Sequence, residues 1–166
     1  MRERAWISRD VEATEALGAA IGRAAIPGLV IALDGELGAG KTCFVRGLAR
    51  GLDVQDEVSS PTYALMASHA GRLLLHHFDA WMEGRERAFL ADGGAEWLDG
   101  ASVAAVEWAS RVTGSLPAER LEIHLAHAGP EERRVRAIVR GEGERAVRLA
   151  RILDELPAIP GLDEVV

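Results

Sequence analysis

Asparagine is missing from this 166-residue chain, and lysine, cysteine and glutamine occur once each, as Lys41, Cys43 and Gln55. Each gap excludes something. A lone cysteine forms no intramolecular disulfide, so the fold rests on its core and a reducing compartment is expected. Without asparagine or a second lysine, the N-K-x-D motif by which Ras-like GTPases select guanine is impossible. An L-S-G-G-Q-like segment, the mark of transporter-type ATPases, is absent too. No apolar run approaches the roughly 20 residues of a membrane span, and the opening MRERAW is charged, with no apolar stretch behind it. These gaps predict a cytoplasmic protein without membrane contact. A net charge of −7 and a pI near 5.3 argue against gripping nucleic acid or an anionic bilayer through the overall field. Any RNA contact is left to a local patch or to a partner.

At 48% hydrophobic, the chain holds enough apolar matter for one sizeable core and too little length for two. No repeat, linker or low-complexity block divides it, so residues 1–156 read as one domain and the tail 157–166 as loose. Arg4–Ile7 suits a short edge strand, after which Ser8 or Asp10 caps a helix through DVEATEALGAAIGRAAI, stopped by Pro27 and Gly28. LVIALDG, bounded by glycines, has the continuous apolar character of a strand buried on both faces. A helix follows through TCFVRGLARGL. TYALMASHAGRLLLHHFDAW reads as a hairpin turning at Ala70-Gly71, EGRERAFLADGGAEWLDG as helix, turn and short helix, and SVAAVEW as a second buried strand. RLEIHLAHA and RRVRAIVRG alternate as strands around Gly129-Pro130, and GERAVRLARILDEL has helical period. The order predicts an α/β fold, a mixed sheet with helices on both faces.

Between the first buried strand and its helix lies GELGAGKT, which fits G-x-x-x-x-G-K-[ST] at Gly35, Gly40, Lys41 and Thr42. Glycines let backbone N–H groups wrap a phosphate, and the helix N-terminus adds partial positive charge. The turn, Gly35, Glu36, Leu37, Gly38, Ala39 and Gly40, with Lys41, Thr42 and Cys43 after it, is therefore the candidate nucleotide-binding segment of a single compact P-loop NTPase-like domain. Lys41 would reach the β and γ phosphates and the Thr42 hydroxyl would ligate Mg²⁺. In a chain that writes every other cation as arginine, one ammonium is kept where a compact point charge suits polyphosphate better than a planar fork. Cys43 itself reads as a small buried hydrophobe.

A P-loop needs a second anion for its metal and a group to activate water. Asp79, ending LLLHHFD, and Glu107, ending VAAVE, both emerge at the carboxyl edge of the sheet, where ligands of open α/β folds bind. Placement alone leaves their roles interchangeable. Pro61 stiffens SSPTYALM, whose Ser59, Ser60 and Thr62 offer hydroxyls in the manner of a nucleotide switch. His76 and His77, adjacent on a strand, face opposite ways and share no metal.

GELGAGKT, SSPTY, HFDAW and VEW stand in the order and spacing of the bacterial TsaE (YjeE) family, which the chain resembles over roughly residues 8–140. The resemblance implies an ATPase that binds ATP and Mg²⁺, works with a TsaB–TsaD complex, and meets tRNA indirectly through it in making threonylcarbamoyladenosine. It further implies that Lys41, Asp79 and Glu107 are catalytic, that Thr42 and Glu107 hold the metal, that Asp79 supports hydrolysis, and that Thr62 belongs with Ser60 to a mobile switch. The family's H-x-D-x-Y-R appears here as His77, Asp79, Trp81 and Met82, so the aromatic is changed and the arginine lost. Arg85 and Arg87 are the nearest substitutes. Trp108 either closes over the nucleotide or packs in the core, and Arg134 is either the family's basic residue or an ordinary strand arginine. Two other functions share the same P-loop: a small-molecule kinase, for which EGRERAF is the only lid-like stretch, and a nucleotide-switched binding module with little turnover.

Overall fold

In the computed structural model, the residues described are 1–61, 66–81, 84, 98 and 100–166. The helices expected within 83–100 fall largely outside them, as do Thr62, Met82, Arg85 and Arg87. Eight strands form one mixed sheet: β1 (Arg2–Ser8), β2 (Val30–Gly35), β3 (Met66–His69), β4 (Leu75–Asp79), β5 (Val103–Glu107), β6 (Arg120–His127), β7 (Arg133–Arg140) and β8 (Leu162–Glu164). Their order is β3-β4-β5-β2-β6-β7-β1-β8. The central four, β4, β5, β2 and β6, run parallel, and the remaining pairings are antiparallel.

Period-2 alternation sorts the side chains of the central strands into two layers. Ile31 and Leu33 of β2, Val103 and Ala105 of β5, and Leu121, Ile123 and Leu125 of β6 join the larger cluster. Against them pack α1 (Val11–Ala24), α2 (Lys41–Gly51) and α3 (Glu144–Asp154) through Leu17, Ile21, Phe44, Leu48, Leu149 and Leu153. The intervening residues Val30, Ala32, Phe78, Ala104 and Val106 face the other way. There Ala109 and Val112 of a 3-10 helix (Ala109–Ser115), together with Leu98, cover the sheet. α1 begins as read from the sequence, with Asp10 Oδ1 accepting the Ala13 N–H at 2.7 Å. Ser8, the other candidate cap, bonds Thr14 Oγ1 instead.

Two expectations about the sheet's margin are corrected. β1 is no edge strand: β7 pairs it along its length, and Trp6–Ser8 pair with β8 on the other side. The tail from Pro157 is not loose, because Leu162–Glu164 add that eighth strand. Arg4 is bonded to Glu164 at 2.7 Å and Arg9 to Asp163 at 2.6 Å. Three residues are too few for a visible alternation, which is why the strand was illegible.

α1 and α2 touch backbone to backbone. A Cβ built on Gly18 would stand 2.2 Å from the Phe44 carbonyl oxygen, and one on Gly47 would stand 1.9 Å from that of Glu15. Any side chain there forces the helices apart, and α2 carries the glycine-rich turn at its head. Gly47→Ala is therefore expected to cost about 3 kcal/mol in urea denaturation, the upper end of overpacking penalties. Gly114→Ala, where a Cβ meets nothing within 4 Å, is the control and should shift stability by less than about 0.5 kcal/mol.

Candidate functional site

The parallel register of β4 and β5 sets Asp79 beside Glu107. Both lie on the face that carries α2, Asp79 in alternation with Leu75 and His77, and Glu107 with Val103 and Ala105. β2, paired with β5 on its other edge, delivers Gly35 to the same end of the sheet, and the turn to α2 starts there. A cleft of about 300 Å³ results, lined by Leu37, Gly38, Gly40, Lys41, Thr42, Cys43, Ser60, Asp79, Trp81, Glu107 and Trp108. Gly35, Glu36 and Ala39 build the turn from behind.

Gly38 and Gly40 hold left-handed backbone, with φ of +76° and +105°, a conformation that favours glycine. A Cβ at Gly38 would meet nothing within 4 Å, so it is the backbone conformation and not crowding that favours glycine there. Gly40 is the N-cap of α2 and supplies no side-chain cap bond. The Gly40 carbonyl accepts the Phe44 N–H at 3.0 Å, but no capping side chain reaches the earlier N–H groups of α2, and anions suit such an end. Lys41 is 5% exposed, yet its ammonium donates to the carbonyls of Gly35 and Glu36 and to no carboxylate among the described residues. Its Nζ lies 3.9 Å from the centroid of the Trp108 ring. Burial pulls the ammonium below its ordinary pKa, while Glu107, Asp34 and Asp79 pull it back up.

The carboxylates are tied differently. Glu107 Oε1 accepts the Thr42 hydroxyl at 2.9 Å and its Oε2 lies 2.6 Å from His77 Nε2. Asp79 Oδ2 accepts the Ser60 hydroxyl at 2.5 Å and its Oδ1 the Trp81 N–H at 2.9 Å. Thr42 and Glu107 are hard oxygen donors side by side, the donor chemistry that suits Mg²⁺. Trp108 occupies left-handed backbone at φ 59°, uncommon for a bulky residue. The bend turns the chain into the 3-10 helix and lays the indole over Lys41; Arg111 also approaches that ring, at 5.2 Å, and donates to the Trp81 carbonyl.

A family model described as "Threonylcarbamoyl adenosine biosynthesis protein TsaE" matches residues 8–135. The chain belongs to the TsaE family. This TsaE-family chain is 41% identical over 119 residues to the tRNA threonylcarbamoyladenosine biosynthesis protein TsaE of Treponema pallidum, a match covering 72% of this chain and 88% of the relative. To the protein of the same name from Bacillus subtilis it is 38% identical over 136 residues, covering 81% and 85%. The crystal structure of Bacillus subtilis YdiB superposes with a TM-score of 0.76 at 32% identity, over 93% of this chain and 94% of that one. The single P-loop α/β domain expected from the sequence is thus the observed fold.

Within this TsaE-family cleft the structure assembles Lys41, Thr42, Ser60, Asp79, Glu107 and Trp108. Cys43 is not a core hydrophobe; it is half-buried on the cleft wall, where Arg46 Nη2 approaches its sulfur at 3.0 Å. Arg134 lies away from the cleft, an exposed strand residue, and its neighbour Arg133 donates to the Gly38 carbonyl at 3.3 Å. The residues not foreseen at the site are Trp81 on its rim and His77 beneath Glu107. For His77 a signal existed: positions 77 and 79 of one strand share a face. Among the described residues no helix is long and apolar enough to cross a membrane.

Proposed function

We propose that this TsaE-family chain binds ATP with Mg²⁺ and hydrolyses it in the service of threonylcarbamoyladenosine formation in tRNA. It acts with a TsaB–TsaD complex and reaches tRNA through that complex. The observation that carries this reading is the buried Lys41 ammonium, held by carbonyls and bonded to no carboxylate among the described residues, at the head of a helix whose capping glycine brings no side-chain oxygen. A polyphosphate supplies the missing negative charge to both. The relatives' shared name, tRNA threonylcarbamoyladenosine biosynthesis protein, supplies the pathway.

In this reading Lys41 and the N–H groups of the turn bind the phosphates, and Thr42 with Glu107 hold the metal. When bound, Mg²⁺ offsets phosphate charge and draws electron density from the terminal phosphate. Asp79, already sharing the Ser60 hydroxyl, accepts a proton from water or orients it through Oδ2. Ser60 and Thr62 act as the switch segment. Trp108 closes over the nucleotide once the ammonium leaves its ring for phosphate.

The deciding experiment measures phosphate release from ATP by the purified chain, alone and with a TsaB–TsaD complex added. Stimulation supports the reading; ATP-dependent phosphorylation of a metabolite without phosphate release replaces it with a kinase. Lys41→Ala and Lys41→Arg are both expected to lower ATP affinity roughly tenfold or more with unchanged circular dichroism, since a guanidinium fork does not fit a point-charge site. The two carboxylates separate by calorimetry with and without Mg²⁺. Glu107→Ala should lose the Mg²⁺-dependent part of ATP binding, whereas Asp79→Asn keeps affinity and slows single-turnover hydrolysis about 10²-fold. A Mg²⁺-dependent binding defect confined to Asp79→Asn exchanges their roles.

A further inference from the structure

His77 is a histidine in a position that packing alone would fill with an apolar residue. It is fully buried, on the same face of β4 as Leu75 and Asp79, two residues behind the Asp79–Glu107 pair. Its Nε2 lies 2.6 Å from Glu107 Oε2. A carboxylate only accepts, so Nε2 donates the proton. The other ring nitrogen, Nδ1, is buried with no hydrogen-bond partner among the described residues. A buried polar atom left unpaired is costly, and among the described residues the ring's one hydrogen bond is to Glu107. Asp79 makes no use of it, both its oxygens being taken by Ser60 and the Trp81 N–H. Its neighbour His76, on the opposite face, bonds Ser68 Oγ at 2.8 Å and is tied into the outer hairpin.

We propose that His77 is the positioning residue for Glu107: it pins one carboxylate oxygen so that the other stays turned toward the Thr42 hydroxyl, 2.9 Å away. Glu107 ends its strand, and the chain bends sharply at Trp108 directly after it. Thr42 alone leaves the carboxylate free to rotate, since a hydroxyl bonds either oxygen equally well. With His77 behind it, the group is fixed at both ends. Metal-binding carboxylates are commonly held in this way by a second hydrogen bond, and loss of such a partner costs roughly 10- to 100-fold in metal affinity.

The inference rests on the Mg²⁺–ATP reading, and its test keeps the two apart. ATP binding is titrated calorimetrically in Mg²⁺ and in EDTA for the wild type, His77→Leu, His77→Gln and His77→Asn. In His77→Leu the Mg²⁺-dependent gain in affinity should shrink roughly tenfold, with affinity in EDTA as in the wild type. His77→Gln, whose amide nitrogen extends to about the reach of Nε2, should restore most of the gain, and the shorter His77→Asn should not. Should His77→Leu fail to fold, the Gln and Asn pair decides alone. A full Mg²⁺ gain in His77→Leu, or equal gains in Gln and Asn, overturns the positioning role. A wild type with no Mg²⁺ gain removes the underlying reading and this inference with it, a result distinct from a normal wild type indifferent to position 77.

Discussion

Parallel pairing of β4, β5 and β2 is the constraint from which the site follows. Three strands running in one direction bring three carboxyl ends to one edge, so Asp79, Glu107 and the glycine-rich turn meet although they lie far apart in sequence. The alternation of each strand then chooses the face, and it is the face against which α2 packs. Had β4 slipped by one residue, Phe78 would stand where His77 and Asp79 now point, since a single step reverses every side chain. Burial of Phe78 and of Leu75 in opposite layers holds the register against that slip.

Charge in the cleft is arranged by keeping opposite signs close without pairing them directly. The carboxylates spend their oxygens on two hydroxyls, a ring N–H and a backbone N–H, and the ammonium spends its protons on carbonyls and an aromatic face. A direct Lys41 to Glu107 ion pair would satisfy both groups internally and leave little for an incoming anion and cation. The observed contacts are of the kind that neutral partners supply, which water or a ligand can replace without stranding a charge. Outside the cleft the pattern is the opposite: Arg120, Arg140 and His124 converge on Glu122, whose carboxyl burial alone would raise but which these donors hold below its ordinary value.

Much of this was legible in advance, for reasons that differ by element. The buried strands at 30–35 and 103–107 declared themselves because both faces are covered, leaving continuous apolar runs. The turn at Gly35–Thr42 was legible because phosphate-type geometry demands glycine at fixed offsets. What escaped the sequence was pairwise. Neither the tie between His77 and Glu107 nor the reach of Arg133 to the Gly38 carbonyl is written in any local pattern, since each depends on which strands become neighbours. β8 escaped for a different reason: its three residues are held by β1 and by arginines 154 to 160 positions away in sequence. Cys43 was misread because its helix presents the cysteine to the cleft wall and reserves Phe44 and Val45 for the core.

The solitary lysine has a chemical consequence of its own. Nζ of Lys41 is the only side-chain amine in the sequence. It lines a cleft, the residue 5% exposed, with its ordinary basicity reduced by burial. An acylating or carbamoylating reagent therefore meets a surface bare of side-chain amines, and a lysine adduct marks a molecule whose cleft stood open when the reagent arrived.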